Sequence, residues 1–149
     1  MPAAPLTIRA PLDDLLSGGQ AGLAPTAVGE HLSLTEAASL EENQPLALTR
    51  FRAWGWVDQA SRSWGDGGRG FTDSLLLLTR AEGARLAFQG FAGDLAREAP
   101  CPASLGLDQC AQGAGGLVAR IDRYVFRLMG SGVDLAALAA LQAEAVRKP

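Results

Sequence analysis

The chain reads as an α+β domain, an antiparallel sheet of about four to five strands packed against helices in a single-domain sandwich. Three observations predict this class. Apolar or alternating runs of strand length occur at Trp56–Trp64, Phe71–Thr79, Leu117–Ile121 and Tyr124–Met129. Helical spacing of apolar residues follows capping signals at Ser33, Thr79 and Asp134, and hairpin-type connections separate the runs. With 149 residues, 48% of them hydrophobic, the chain has the size of one domain with one sizeable core.

The elements follow in order. Residues 1–11 carry Pro2, Pro5 and Pro11 and read as an extended arm, leaving 12–149 as the domain. Pro11 suits the first turn of a short helix through Leu12, Leu15 and Leu16, ended by Gly18-Gly19. Gln20 to Leu32 gives one irregular strand. Ser33 and Glu36 have capping-box spacing and predict a short helix to about Leu40. Pro45 opens a second helix through Leu46, Leu48 and Phe51, which Gly55 can end in a left-handed conformation.

Trp56–Trp64 is then a strand on which alternation points Trp56 and Trp64 to one side. The loop Gly65-Asp-Gly-Gly-Arg-Gly70 leads to Phe71–Thr79, whose continuous leucines indicate burial on both faces or a central position. Thr79 and Glu82 repeat the capping-box spacing ahead of Ala84, Phe88, Phe91 and Leu95, a helix over 80–97. Leu117–Ile121 and Tyr124–Met129 form a tight hairpin about Asp122-Arg123, with Tyr124, Phe126 and Leu128 on one face. Asp134 caps a last helix over 135–147, with Arg147 and Lys148 near its carboxyl end.

Composition narrows the function classes. A net charge of −3 opposes general nucleic-acid binding, which needs a basic face to neutralise phosphates. The charge is uneven: residues 1–49 hold Asp13, Asp14, Glu30, Glu36, Glu41 and Glu42 against Arg9. No run of about 20 apolar residues predicts a membrane span, and the opening residues lack the charged start and hydrophobic run of a secretory leader. Cys101 and Cys110, in a proline- and glycine-bounded loop, suggest a disulfide, with two unrelated buried thiols as the alternative.

Motifs with chemical meaning are few. Gly65-x-Gly67-x-x-Gly70 matches a dinucleotide fingerprint in letters, but a strand rather than a helix follows it, so a hairpin loop is expected. His31 has no partner at a metal-ligand spacing, and no Gly-x-Ser-x-Gly elbow accompanies it, so neither a zinc site nor a serine hydrolase is expected. Asp58 and Asp73 fall on paired strands and could divide acid and base roles, although Arg62, Arg69 and Arg80 make cross-strand ion pairing the simpler reading. Trp54, Trp56 and Trp64, with Arg62 and Arg69, could line a groove for an apolar or glycan-like ligand; packing beneath helices is the alternative.

The run Leu46-Ala-Leu-Thr-Arg-Phe-Arg-Ala-Trp54-Gly-Trp-Val resembles extracytoplasmic lipoprotein or sensor-type domains of GC-rich bacteria. So do Leu75–Thr79 leading into Ala81–Phe88, and Val118–Met129 followed by Val133-Asp-Leu-Ala-Ala-Leu138. The start departs from that pattern: Leu16-Ser17-Gly18-Gly19 stands where such domains carry Leu-Pro-x-Gly-aromatic, and no lipobox cysteine is seen. The resemblance implies a secreted or envelope-facing domain with no catalytic residues to carry over. The resulting expectation is a non-enzymatic extracytoplasmic binding module for a protein partner or small ligand, without cofactor or metal. An accessory subunit of a larger envelope complex is the alternative, and a small carboxylate-dependent hydrolase or isomerase a further one.

Overall fold

Leu75, Leu76, Leu77 and Leu78 are all buried although successive strand residues point to opposite faces. Both faces of the sheet at that point must therefore be covered. In the computed structural model, which describes residues 24–29, 32–65, 70–95, 97–102 and 105–147 (backbone only at 24–29 and 62), helices lie on each side.

The strands are β1 Ala24–Gly29, β2 Trp56–Gly65, β3 Gly70–Leu78, β4 Ala99–Pro100, β5 Gln109–Gly113, β6 Gly116–Ile121 and β7 Tyr124–Ser131. The helices are α1 Leu34–Ser39, α2 Gln44–Trp54, α3 Ala81–Gly93 and α4 Leu135–Arg147. The strands form one sheet of order β1-β2-β3-β7-β6-β5-β4, antiparallel at every pairing. Two meanders make it up: β1 to β3, then β4 to β7, with α3 carrying the chain to the far edge so that β7 returns beside β3.

One face buries Leu75, Leu77, Leu117, Ile121, Tyr124, Phe126 and Leu128 against Leu138, Ala139, Ala143 and Val146 of α4. The other buries Leu76, Leu78, Val118 and Val125 beneath α1, α2 and α3. Each large apolar side chain so removed from water contributes roughly 1.5–3 kcal/mol, which makes the two layers the main source of stability.

Local chemistry sets most element ends. Ser33 and Glu36 form a reciprocal capping box on α1, with Ser33 Oγ accepting from Glu36 N at 3.1 Å and Glu36 Oε1 accepting from Ser33 N at 3.0 Å. Asn43 Oδ1 accepts from Leu46 N to open α2, and Gly55, at φ +81°, closes it. Asp134 Oδ1 accepts from Ala137 N at the start of α4.

The structure corrects several expectations. Among the described residues there are seven strands rather than four or five: β4 and β5 lie where the sequence reads as a cysteine loop, because Gln109–Gly113 is short, polar and buries only Ala111. The Thr79–Glu82 capping box does not form. Thr79 Oγ1 donates to Gly55 O, Glu82 pairs with Arg85, and α3 starts at Arg80 without a side-chain cap and ends at Gly93. Trp56 and Trp64 lie on opposite faces, because a bulge at Val57 (Trp56 pairs Leu78, Asp58 pairs Leu77) reverses the alternation. The helix proposed for 12–16, the arm, His31 and the centre of the glycine loop lie outside the described residues; the strand nature of Gly70–Leu78 stands, so no helix follows that loop.

Packing of α2 on α3 depends on Gly83. A Cβ there would sit 1.9 Å from the Trp54 carbonyl oxygen. Gly83→Ala is expected to destabilise the fold by roughly 1–3 kcal/mol despite the better helix propensity of alanine. Gly93→Ala, with nothing within 4 Å of its Cβ, should be neutral or stabilising by up to about 1 kcal/mol; urea unfolding of the two variants checks the contrast.

The hydrogen bonds from the Ser33 backbone and side chain hold the Glu36 carboxyl below the usual glutamate range. Its contribution to α1 is therefore complete above the ordinary glutamate pKa and disappears as pH falls through the depressed folded-state value. Glu36→Gln should remove this acid-side component of the stability–pH curve, measured by unfolding at graded pH.

Candidate functional site

A lone charge in an apolar strand organises the helical face of the sheet. Arg127 shares a face of β7 with Val125 and so points into the layer beneath α1, α2 and α3. Its guanidinium lies 3.9 Å from the centre of the Phe91 ring of α3 and binds Glu41, in the α1–α2 connection, through two parallel bonds of 2.9 Å. The side chains are only 17% and 20% exposed. Bidentate charge-assisted geometry of this kind fixes orientation as well as distance. The pair thereby anchors the α1–α2 connection over the middle of the sheet.

Beside this anchor lies a cleft of about 410 Å³ between the α1–α2 connection, α2 and α3. Its floor is an aromatic triad, Phe51, Trp54 and Phe91, with Trp54 and Phe91 edge-to-face at 5.3 Å and Phe51 5.8 Å from Trp54. Helical spacing in α2 and α3 turns all three rings inward. The rim carries Glu41, Glu42, Leu46, Arg50 and Asp94. Arg50 lies over the Trp54 ring at 5.3 Å and 3.9 Å from Asp94, which is 70% exposed. Glu41 is engaged by Arg127 and Asp94 by Arg50, whereas Glu42 is exposed, so the rim charge left over an apolar floor is acidic.

The sequence-based site residues separate. Trp54 belongs to this floor. Trp56 packs at the margin of the same layer and donates from Nε1 to Gln59 Oε1 at 3.2 Å. Trp64 is 3% exposed on the opposite face, stacked on Phe71 at 4.7 Å. The three indoles do not make one groove. The Arg62 side chain and Arg69 lie outside the described residues. Asp58 and Asp73 share a face but stand opposite Leu77 and Arg62 respectively, four register positions apart, or about 13 Å along the strands, too far for the acid–base pair envisaged.

Cys101 and Cys110 form a disulfide that extends the β4–β5 ladder by one pair, with Cα atoms 5.5 Å apart. Among the described residues no group of three or more His, Cys, Asp or Glu is placed to hold a metal ion, and no helix is long and apolar enough to cross a membrane.

Sequence reasoning missed Phe51, Phe91, Glu41, Glu42, Arg50, Asp94 and Arg127 as site residues. One signal was present: Arg127 interrupts Tyr124–Met129 on the face shared with Val125, and a cation there requires a partner.

Removing one partner of the anchor leaves a charge desolvated. Glu41→Gln is expected to cost roughly 1–3 kcal/mol, against less than about 0.5 kcal/mol for the exposed Glu42→Gln, by urea unfolding.

Comparison with known protein families, curated proteins and solved structures finds no match for this chain.

Proposed function

We propose that this domain is a non-enzymatic, extracytoplasmic binding module whose cleft between α2 and α3 receives an apolar side chain flanked by a cation, presented by a protein partner. The observation that carries the reading is the combination of an aromatic floor with an acidic open rim. Phe51, Trp54 and Phe91 supply buried aromatic surface, and Glu42 supplies charge at the mouth, across from the Arg50–Asp94 pair. An ammonium or guanidinium next to an apolar group is complementary to that arrangement, while a carboxylate would meet like charge. The Cys101–Cys110 bridge supports an oxidising compartment, where disulfides persist.

The charge rule separates two small probes that share one ring. Phenethylamine should shift amide resonances of residues 41–54 and 91–94 with a Kd of about a millimolar, and 3-phenylpropionate should bind at least several-fold more weakly. Glu42→Gln should weaken the amine by about 3-fold, in keeping with an exposed charge contact. Absence of any shift at these residues up to tens of millimolar amine, or equal binding of the two probes, would overturn the reading.

A further inference from the structure

Among the described residues, the exposed large apolar side chains other than Met129 lie at the two ends of α2. Leu40, 59% exposed, and Leu46, 48% exposed, flank its amino-terminal end beside Glu42. Val57, 46% exposed on the bulge, and Leu86, 39% exposed on α3, flank its carboxyl-terminal end. There they accompany a hollow of about 380 Å³ lined by Arg52, Gly55, Arg80, Glu82 and Leu86, in which Glu82 is held by Arg85. Arg52 and Arg80 are exposed, and among the described residues neither has a carboxylate partner. Arg80 also stands at the start of α3, where the helix dipole disfavours a cation, so an approaching carboxylate is a favourable neighbour.

The two ends are thus opposites of one kind: apolar with acid, and apolar with base. They lie about 16 Å apart along the 11 residues of α2, so they cannot meet within one molecule. We infer that a second copy of this chain is the partner. Leu86 between Arg52 and Arg80 of one copy docks at the Leu40–Glu42–Leu46 end of the next, where the cleft opens. This rests on the cleft reading above and names its occupant. An apolar side chain flanked by cations is what that cleft is proposed to take, and the chain itself carries one.

The contact is heterologous: each copy meets one neighbour at its acidic end and a different one at its basic end. It leaves a free patch on each side of every pair and propagates head to tail until a ring closes or a filament forms. With few apolar residues on each side, the interface belongs to the small, transient class, and a dissociation constant of about 0.1 mM is expected. Salt weakens it, because the steering charges are exposed.

Sedimentation velocity from 1 µM to 1 mM (on the order of the range needed to bracket that constant) tests the proposal on the whole chain. Two variants block one patch each without reversing its charge: Glu42→Gln with Leu46→Asn, and Arg52→Gln with Arg80→Gln. All four positions are exposed, and circular dichroism with the unfolding midpoint establishes that the variants fold. The wild type should associate beyond dimers, and each blocked variant alone should sediment as a monomer. Their mixture should yield pairs that grow no further, because one intact patch of each kind remains. A wild type that stops at dimers marks a symmetric pair in which both ends of each copy are engaged, and association unaffected by either variant places the contact elsewhere; both outcomes overturn the proposal. A wild type that stays monomeric to about 1 mM overturns it too, and phenethylamine still shifting residues 41–54 in that case would leave the cleft reading standing.

Discussion

The double burial of β3 is the constraint from which the architecture follows. Four consecutive leucines leave the middle of the sheet with no face for water, so one layer of helix could not stabilise it. The chain meets the demand unequally: α4 covers one face, and α1, α2 and α3 cover the other. The crossover helix α3 serves both purposes, carrying the chain to the far edge while burying Phe88 and Phe91. Because the sheet between them is packed on both sides, the cleft can only form where helices meet one another.

Within that apolar layer the Arg127–Glu41 pair is a local exception. A charge on a near-central strand would be costly alone, and the guanidinium is accommodated by a carboxylate from the α1–α2 connection on one side and the face of Phe91 on the other. Isolated, α1 has six residues and little reason to be helical. Its capping box defines where it starts, and its position over the sheet is held by the burial of Ala37 and Ala38 and by the bonds that Glu41 accepts from Arg127. The rim of the cleft is therefore held by a contact between residues 86 positions apart.

The sequence carried the parts of the fold whose causes are local. Ser33 and Glu36, Asn43 with Pro45, Gly55 and Asp134 mark helix ends through bonds or torsions that involve neighbours only. The Asp122-Arg123 hairpin likewise depends on two adjacent apolar runs. What was not legible depends on partners distant in the chain. β5 is a strand because β6 offers it a ladder, not because Gln-Cys-Ala-Gln-Gly alternates. The opposite orientation of Trp56 and Trp64 comes from one unpaired residue, Val57, which no period can reveal. Of the three expected tryptophans only Trp54 reaches the cleft, since the other walls come from α3 and the α1–α2 connection.

The outermost strands carry a consequence for how copies of this protein can meet. β1 and β4 are the two edges of the sheet, and an edge ordinarily presents an open row of amides and carbonyls to any passing strand. Here β1 contains Pro25 beside a register shift, and β4 is two residues long, ends in Pro100 and is stitched to β5 by the adjoining disulfide. A proline has no amide hydrogen to give, and so short a strand offers no template to extend. Lateral growth of the sheet from one molecule into the next is thereby hindered at both margins of the described sheet, which favours association through the helical surfaces.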